Sequence, residues 1–387
     1  MKHIPLFTQP EITRIAKKFN TPMYVYSKKF LLDRIAVFKK FNVTMRYAMK
    51  ANPHRDIIAL FNKHGLHFDS SSSYEAQHLL NLGISGKKIS LSSQEPAHNL
   101  QELINKNVHY TATSLHQLFL YAQTEHTGKS IGIRINPGMG SGEDKRRNTG
   151  GKNSSFGIWH EYLSDALTYC AQQKIHVDTL HIHVGSGADP AIWEQVMIRS
   201  LQLCAQMPSV TKLNIGGGYK IHRFGTEKET DMHKILKVFF KHLDAFNKKS
   251  QRAISLEIEP GTWLVGHAGM LVANVVDIVD TGKNGYSFVK LNTGMNDILR
   301  PTLYGSQHMI EVISTEKKTG MYVFVGHNCE TGDILTPENG NPNGITPRKV
   351  RLPKIGDLVA IYDTGAYCAS MRAQGYNAFP SAGEICI

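Results

Sequence analysis

A repeated alternation of short apolar runs and helical patterns dominates the sequence from about residue 44 to residue 259. Each apolar run has the length of a strand, and the stretch between two runs has the apolar spacing of an amphipathic helix. Parallel strands need such crossovers, and eight of them can close into a barrel with a filled interior. The pattern therefore predicts a (β/α)8 barrel, with an open, doubly wound sheet as the alternative. The predicted strands are residues 44–49, 66–70, 88–92, 108–112, 130–135, 178–184, 211–216 and 254–259.

The sequence changes character after about residue 265, where long helical patterns give way to strand-like runs. An earlier predicted strand, residues 23–26, follows a predicted helix over 8–20 and could join these later strands. A chain of 387 residues is long enough for two domains. We predict a barrel domain at 28–265 and a β domain, a sandwich or a β-barrel, formed by 1–27 together with 266–387. Its later predicted strands are residues 270–279, 286–291, 309–313, 321–325 and 358–362.

Composition argues against several other classes of protein. The formal net charge is +12, but no long basic block interleaved with aromatic residues is present, so no nucleic-acid partner is expected. The short basic clusters 145–147 and 248–249 are interpreted as solvated surface, and the positive charge suits an anionic substrate or cofactor. No stretch approaches the roughly 18 uninterrupted apolar residues of a membrane span, so no membrane partner is expected.

The cysteines and the first residues indicate a reduced, cytoplasmic protein. The five cysteines are scattered, without the spacing of a disulfide framework or of a zinc site, so we expect free thiols and no bound metal. Residues 1–5 lack the apolar region of a secretory signal. We therefore expect the chain in the cytoplasm.

The carboxyl ends of the predicted barrel strands carry reactive and glycine-rich segments. Lys50 ends the first strand and Asp69 the second. The sixth, seventh and eighth strands end at residues 181–187, 215–219 and 257–262, of which the first two are rich in glycine. Because a barrel of this type has its chemistry at the carboxyl ends of its strands, these segments are the predicted site.

Each of these residues has two interpretations when taken alone. Lys50 is either a solvated strand end or an amine whose burial lowers its pKa and makes it a nucleophile. The glycines at 216–218 form either a tight turn or a surface where backbone N–H groups approach a phosphate. Glu259 is either a paired carboxylate at the core edge or the group that keeps a proton on a ring nitrogen. His183 is either a satisfied strand histidine or a flat partner for a ligand ring.

Together, these residues favour pyridoxal phosphate bound covalently through Lys50. In this interpretation Glu259 keeps the pyridine nitrogen protonated, so that the ring accepts electrons. Barrels that bind sugar phosphates share the phosphate site but have no evident need for both Lys50 and Glu259. A stretch at 138–155, rich in glycine, serine and charge, is interpreted as a mobile loop over the barrel mouth or as a disordered insertion.

Over nearly its whole length the sequence resembles the fold-type III pyridoxal-phosphate enzymes, within them the diaminopimelate decarboxylase branch. The resemblance implies an alanine-racemase-like barrel with a C-terminal β domain. It also implies a homodimer with shared active sites and decarboxylation of an amino acid, most directly meso-2,6-diaminopimelate to L-lysine. The motifs that carry the resemblance are residues 21–26, 47–52, 183–186, 292–304, 329–333, 365–367 and 376–377.

The resemblance also implies roles for single residues. Cys329 would return a proton to the substrate Cα, although a cysteine outside this motif would by default be an inert buried thiol. Cys329 and Glu330 would both come from the partner subunit. The predicted catalytic residues are Lys50, His183 and Cys329; the predicted cofactor contacts are Lys50, Asp69, His183, Ser186, Gly217, Gly218, Glu259, Gly261, Thr262 and Tyr367; the predicted substrate contacts are Arg300, Tyr304, Glu330 and Tyr367.

Two departures from the family pattern leave other functions open. The family most often has arginine where this chain has Thr262, and residues 377–380 lack an arginine often found there. A decarboxylase of another amino acid, such as a citryl-linked diamino acid in siderophore assembly, is the first alternative. A racemase is disfavoured because arginine, and not Glu259, is expected at its ring nitrogen. A non-catalytic carrier of pyridoxal phosphate or a regulatory pseudo-enzyme would need none of Cys329, Glu330 and Arg300.

Overall fold

The computed structural model describes residues 6–141, 148–225 and 227–387 of the chain. The helices of these residues are α1 Gln9–Phe19, α2 Lys28–Ala36, α3 Arg55–Lys63, α4 Ser73–Asn81, α5 Leu100–Asn105, α6 Leu115–Ala122, α7 Leu163–Gln172, α8 Pro190–Cys204, α9 Met232–Ser250, α10 Thr262–Val265 and α11 Arg300–Tyr304. The strands are β1 Met23–Tyr26, β2 Val43–Ala48, β3 His67–Ser70, β4 Ile89–Leu91, β5 His109–Ala112, β6 Ser130–Asn136, β7 Ile158–Trp159, β8 His176–His181, β9 Lys212–Asn214, β10 Ser255–Ile258, β11 Gly269–Asp280, β12 Ser287–Leu291, β13 Ile310–Ile313, β14 Thr319–Val325, β15 Pro337–Glu338, β16 Asn341–Ile345, β17 Arg348–Arg351, β18 Leu358–Tyr362 and β19 Gly383–Cys386.

Eight parallel strands close into a ring in the order β2, β3, β4, β5, β6, β8, β9, β10, with β10 paired back to β2. The short strand β7 is attached to the outside of this order, on β6. A closed ring confirms the predicted (β/α)8 barrel, and the alternative of an open, doubly wound sheet is wrong.

The two faces of the barrel strands differ in polarity, because successive side chains of a strand point to opposite faces. Tyr47 of β2 packs edge-on against Phe61 of α3, with 4.7 Å between ring centroids, so this register faces the helices. The neighbouring Arg46 instead forms a buried pair with Glu257 of β10. The barrel interior is therefore a polar column, and its upper end supplies the side chains of the site.

Helix ends and helix faces follow local sequence signals. Thr8 and Glu11 form a reciprocal capping box at the start of α1. The α3 helix buries its apolar stripe, Ile57, Ile58 and Phe61, against the barrel. No helix among residues 6–141, 148–225 and 227–387 is long and apolar enough to span a bilayer.

A separate, mostly antiparallel sheet contains β13, β18, β11, β12, β14 and β17 in that order, with β1 and β19 joined to it through β11. The early strand β1 pairs with β11 antiparallel and with β19 parallel, as expected for residues that belong to the second domain. All five strands predicted after residue 265 are present, whereas α11, β15, β16, β17 and β19 were not predicted. The boundaries 28–265 and 1–27 with 266–387 remain our proposal, which the pairing of β1 supports.

Side chains from both parts of the fold meet in one hydrogen-bonded network. Arg34 of α2 pairs with Glu229 at 2.6 Å. Glu229 also lies 3.4 Å from His267, whose other ring nitrogen contacts Asp363 just after β18. This network joins the barrel to the second sheet.

Candidate active site

A cavity of about 250 Å³ lies where the carboxyl ends of the barrel strands meet α11 and the segment after β18. It brings together most of the residues predicted from sequence, and the segment after β9 adds Lys220 and Arg223. The predicted residues that line it are Lys50, His183, Ser186, Gly217, Gly218, Glu259, Gly261, Thr262, Arg300, Tyr304 and Tyr367.

Lys50 lies in a short 3₁₀ turn that follows β2. Its Nζ donates to Ser71 Oγ at 2.8 Å and lies 3.7 Å from Asp69 Oδ2. Although 43% of the Lys50 side chain is exposed at the cavity, the surrounding protein acts to lower its pKa; negative charge nearby, above all that of Asp69, outweighs this effect and raises the pKa. The interpretation of Lys50 as an amine with a lowered pKa is therefore wrong for this structure, because Asp69 holds it as a cation.

Asp69 lies next to Lys50, near the end of β3, and is almost fully buried. Burial raises the pKa of its carboxyl, the neighbouring Glu259 adds to the rise, and the Lys50 ammonium opposes it. Ser92 Oγ donates to Asp69 Oδ1 at 3.2 Å. Asp69 therefore lies between a carboxylate that disfavours its anionic form and an ammonium that favours it.

Glu259 is a buried carboxylate with two fixed neighbours. Asn214 Nδ2 donates to Glu259 Oε1 at 2.7 Å, and His181 Nε2 lies 3.3 Å from Oε2. Burial acts to raise the pKa of Glu259, but His181 and, more weakly, Lys50 lower it well below the ordinary value. The carboxylate therefore stays anionic, as the acceptor of a proton-bearing ring nitrogen must be.

His183 is held as a neutral imidazole just beyond the end of β8. Its Nδ1 accepts the backbone N–H of Gly217 at 3.0 Å. Burial, with the positive charge of Arg134, lowers the pKa of His183 well below its ordinary value. β8 itself ends at His181, and not at the predicted residue 184, so His183 belongs to the loop that lines the cavity.

The glycines after β9 are required by their neighbours. A Cβ on Gly217 would overlap the carbonyl oxygen of Glu259, and one on Gly218 would overlap that of Gly185. Gly218 also has φ +104°, a conformation that other residues rarely adopt. The glycines thus serve tight packing and also leave bare backbone at the cavity wall.

These residues fit pyridoxal phosphate. A lysine amine is available for covalent attachment, an anionic carboxylate for the ring nitrogen, and a neutral, flat imidazole for the ring face. The bare backbone at Gly217 and Gly218, beside Ser186, suits a phosphate.

Sequence reasoning missed several cavity residues, of which Arg134 is the most buried cation. Its guanidinium lies 4.9 Å from the ring centroid of Phe156, and its Nη2 has no partner among the described residues. The sequence signal was present, because Arg134 is the one charged residue in the strand 130–136. The other missed lining residues include Ser92, Thr149, Lys220, Arg223 and Met371.

The predicted loop 138–155 lies only partly within the described residues, since 142–147 fall outside them. The basic cluster 145–147 falls outside them as well. On the described flanks, Thr149 Oγ1 donates to the carbonyl of His183 at 3.1 Å and the Ser141 N–H to that of Val184 at 2.9 Å. Both flanks therefore contact the segment that carries His183.

Cys329 and Glu330 are not brought to this cavity within one chain. Both are exposed. The Cys329 N–H donates to Asn377 Oδ1 at 2.7 Å, and the Tyr376 hydroxyl lies 3.5 Å from Glu330 Oε2. The exposed residues 329–330 and 376–377 therefore form one surface cluster.

A closed barrel that presents a lysine, an anionic carboxylate and a glycine-lined wall in one cavity defines a pyridoxal-phosphate enzyme. The family model described as "Pyridoxal-dependent decarboxylase, pyridoxal binding domain" matches residues 31–266. The chain belongs to this family of pyridoxal-dependent decarboxylases, and its cofactor is pyridoxal phosphate.

Named relatives match over nearly the whole chain. A diaminopimelate decarboxylase of Streptomyces coelicolor is 30% identical over 98% of this chain and 87% of its own length. One from Buchnera aphidicola subsp. Schizaphis graminum is 32% identical over 96% of this chain and 90% of its own length. A crystal structure of a diaminopimelate decarboxylase superposes with a TM-score of 0.92 at 28% identity, covering 100% of this chain and 93% of that one.

Proposed function

We propose that the protein decarboxylates meso-2,6-diaminopimelate to L-lysine and carbon dioxide. The observation that carries the proposal is the cavity itself, in which Lys50, Glu259 and His183 meet a group of cations, Arg300 among them. The named relatives support the choice of substrate, because those of 30% identity or more described above are diaminopimelate decarboxylases.

The residues divide the work of the reaction between cofactor and substrate. When bound, pyridoxal phosphate supplies the electron sink for the electron pair left at the substrate Cα as carbon dioxide leaves. Lys50 is the covalent attachment point, and the anionic Glu259 keeps the proton on the ring nitrogen. His183 covers the ring face without adding charge, and Gly217 and Gly218 bind the phosphate with their backbone.

Substrate binding falls to the residues of α11. Arg300 and Tyr304 both line the cavity, and the Arg300 guanidinium lies 5.5 Å from the Tyr304 ring centroid. A guanidinium binds a carboxylate through two parallel N–H donors, so Arg300 orients the amino acid.

The proton that Cα regains is assigned to Cys329 of a partner subunit in a homodimer. Cys329 is the exposed one of the five cysteines, so the alternative of an inert buried thiol is wrong. Glu330 lies beside it on the same surface cluster. An exposed pair of functional side chains that does not line the cavity described above suits a site completed across a two-fold axis.

Hybrid dimers test this arrangement. Lys50→Ala and Glu330→Ala each inactivate the homodimer, but with shared sites the mixed dimer keeps one intact site. Random reassembly of equal amounts then restores about a quarter of wild-type activity, from half of the dimers with one of two sites each. Mixtures that stay as inactive as the single variants, with subunit exchange shown by mass, would contradict the shared site.

A substrate panel tests the reaction. Carbon dioxide release is measured with meso-diaminopimelate, lysine, ornithine, arginine and a citryl-linked diamino acid. Release from meso-diaminopimelate above all others is expected. Preferential release from the citryl compound would establish the alternative that Thr262 leaves open. No release from any of them, with an absorbance band of bound cofactor that Lys50→Ala removes, would instead indicate a carrier.

We also propose a cytoplasmic location, supported by the five cysteines, all of which are free. Structural disulfides belong to oxidising compartments, so a chain whose thiols are all unpaired suits a reducing one.

A further inference from the structure

Arg223, like Arg134, lines the cavity without a role in the reaction described above. Only 8% of the surface of Arg223 is exposed. Its Nε and Nη2 have no hydrogen-bond partner among the described residues, and no described carboxylate lies within ion-pair distance of it. A buried guanidinium with free N–H groups is a binding group for an anion.

The acidic residue nearest in sequence does not neutralise this charge. Glu227 Oε2 accepts the backbone N–H of Arg223 at 2.9 Å, so it shapes the turn and leaves the guanidinium free. Arg223 differs in this from Arg34 and Arg46, each of which is paired with a glutamate.

The charges of Arg223 and Arg300 both affect the same two titratable side chains, His308 and Cys368. Burial, followed by the charges of Arg223 and Arg300, lowers the pKa of His308 to about 3. Burial raises the pKa of the Cys368 thiol to about 11 against the same two guanidinium groups. Both arginines also line the cavity, so they add positive charge to its wall.

The balance of charge in the cavity calls for more than one ligand anion. Glu259 is the single acidic residue among the described lining residues. Five lining residues are cationic: Lys50, Arg134, Lys220, Arg223 and Arg300. With Lys50 consumed by the cofactor, four cations face Glu259 and a phosphate that carries up to two charges, so one positive charge remains for a substrate carboxylate.

Arg223 also lies beside the position where the family most often has an arginine. A Cβ on Gly266 would meet both Ile221 and Thr262, so the segment that carries Arg223 packs next to Thr262. Both Arg223 and Thr262 line the cavity.

We propose that Arg223 binds the carboxylate at the far end of the substrate side chain and so determines specificity for an amino acid with a second carboxylate. The proposal rests on the decarboxylation proposed above. Arg223 supplies from the loop after β9 the guanidinium that Thr262 lacks, and Arg300 holds the same end of the ligand.

Two ligands that differ in a single carboxylate test the proposal. L-Lysine keeps the carboxylate that Arg223 would bind, whereas cadaverine lacks it. Binding of each is followed by the absorbance change of the holoenzyme, for wild type, Arg223→Gln, Arg223→Lys and the control Arg14→Gln, whose side chain is exposed on α1.

For Arg223→Gln the dissociation constant of L-lysine is expected to rise on the order of 100-fold, with that of cadaverine unchanged. Arg223→Lys keeps the positive charge but loses the planar guanidinium, so its dissociation constant for L-lysine should lie between those of wild type and Arg223→Gln. Arg14→Gln should match wild type. For meso-diaminopimelate, Arg223→Gln should raise KM more than it lowers kcat.

Equal weakening of lysine and cadaverine would overturn the proposal, since it would show a structural role for Arg223. Unchanged binding of both would overturn it as well. The test is separable from the proposed function. If wild type released no carbon dioxide from meso-diaminopimelate, the function would fail, yet a preference for lysine over cadaverine that Arg223→Gln abolishes would still support Arg223 as the carboxylate-binding residue.

Discussion

Three side chains of the cavity are held in three different charge states. Glu259 is anionic because of His181, His183 is neutral because of burial, and Lys50 is cationic because of Asp69. None of these states depends on a ligand, so the electrostatics of the site are set by the fold before the cofactor binds.

Removal of the Glu259 charge should slow the reaction without loss of the cofactor. Glu259→Gln keeps the shape and the contact with Asn214, but it no longer holds the proton on the ring nitrogen. We expect kcat to fall about 100-fold or more, with covalent cofactor still present in the absorbance spectrum. The control is Glu316→Gln, in the loop between β13 and β14. A kcat within twofold of wild type would contradict the role of Glu259.

Gly217 should tolerate no side chain. In Gly217→Ala the new Cβ overlaps the Glu259 carbonyl, so the strand ends must shift, and we expect a loss of about 1–3 kcal/mol in the free energy of unfolding. The matched control is Gly383→Ala, whose Cβ would meet only the end of Met23 at 3.4 Å. Similar unfolding midpoints for the two variants would contradict this account of the glycine.

The sequence was sufficient to find the residues of the site that lie at strand ends, but not their electrostatics. Lys50 and Glu259 follow from the strand pattern alone. The raised pKa of Lys50 does not, because it depends on the register in which Ala48 pairs with Asp69. Arg223 was missed because a single arginine in a loop has no pattern to distinguish it from a surface residue.

At the scale of elements, the register of each barrel strand decides which side chains reach the interior. Glu257 of β10 and Glu259, just after this strand, alternate with Leu256 and Ile258, so the two acids face inward. Glu257 meets Arg46 at the amino-terminal end of the barrel, and Glu259 meets His181 at the other end. One strand thus supplies a structural ion pair and a site residue.

The Arg46–Glu257 pair should stabilise the fold without taking part in the reaction. Two contacts of 2.7 and 2.9 Å join the side chains in a buried setting. Glu257→Leu or Arg46→Met should each lower the free energy of unfolding by about 3–5 kcal/mol, because an unpaired charge is left buried. The double variant Arg46→Met with Glu257→Leu should lose clearly less free energy of unfolding than the two single variants lose together, as measured by denaturant unfolding. Additive losses would show that the two side chains do not act as a pair.

Sequence patterns predicted the elements with strong local signals and missed those stabilised from a distance. The eight barrel strands each have an apolar run and a helix after them. By contrast, β19 owes its strand conformation to pairing with β1, and β17 to pairing with β14. The end of β8 was placed too late because the chain leaves the strand before Gly185, which has φ +103°.

At the scale of the whole molecule, the network of Arg34, Glu229, His267 and Asp363 ties the barrel to the second sheet. Burial acts to lower the pKa of His267, but its hydrogen bonds to Asp363 and Glu229 outweigh burial and raise the pKa. The folded protein therefore favours the protonated imidazole.

The stability that His267 contributes should depend on pH. Because the pKa of His267 is raised in the folded state, its contribution to stability is complete below the unfolded-state pKa of about 6.5. The contribution is lost as the pH rises through the folded-state pKa. The difference in unfolding midpoint between wild type and His267→Gln should therefore shrink from about pH 6 to about pH 9. His64→Gln, at an exposed histidine after α3, should show no such trend. A difference that grows with pH would contradict the assigned direction.

The pairing of β1 with β19 places the two extremes of the described chain side by side. Met23 lies opposite Gly383, a partner 360 positions further along the sequence. During synthesis β1 is therefore made long before the strand that covers it, and its edge stays unpaired while the whole barrel is translated. Contacts between such distant residues form slowly, and an unpaired edge can recruit other chains. A nascent chain of this protein should thus depend most on protection from aggregation just before β19 emerges from the ribosome.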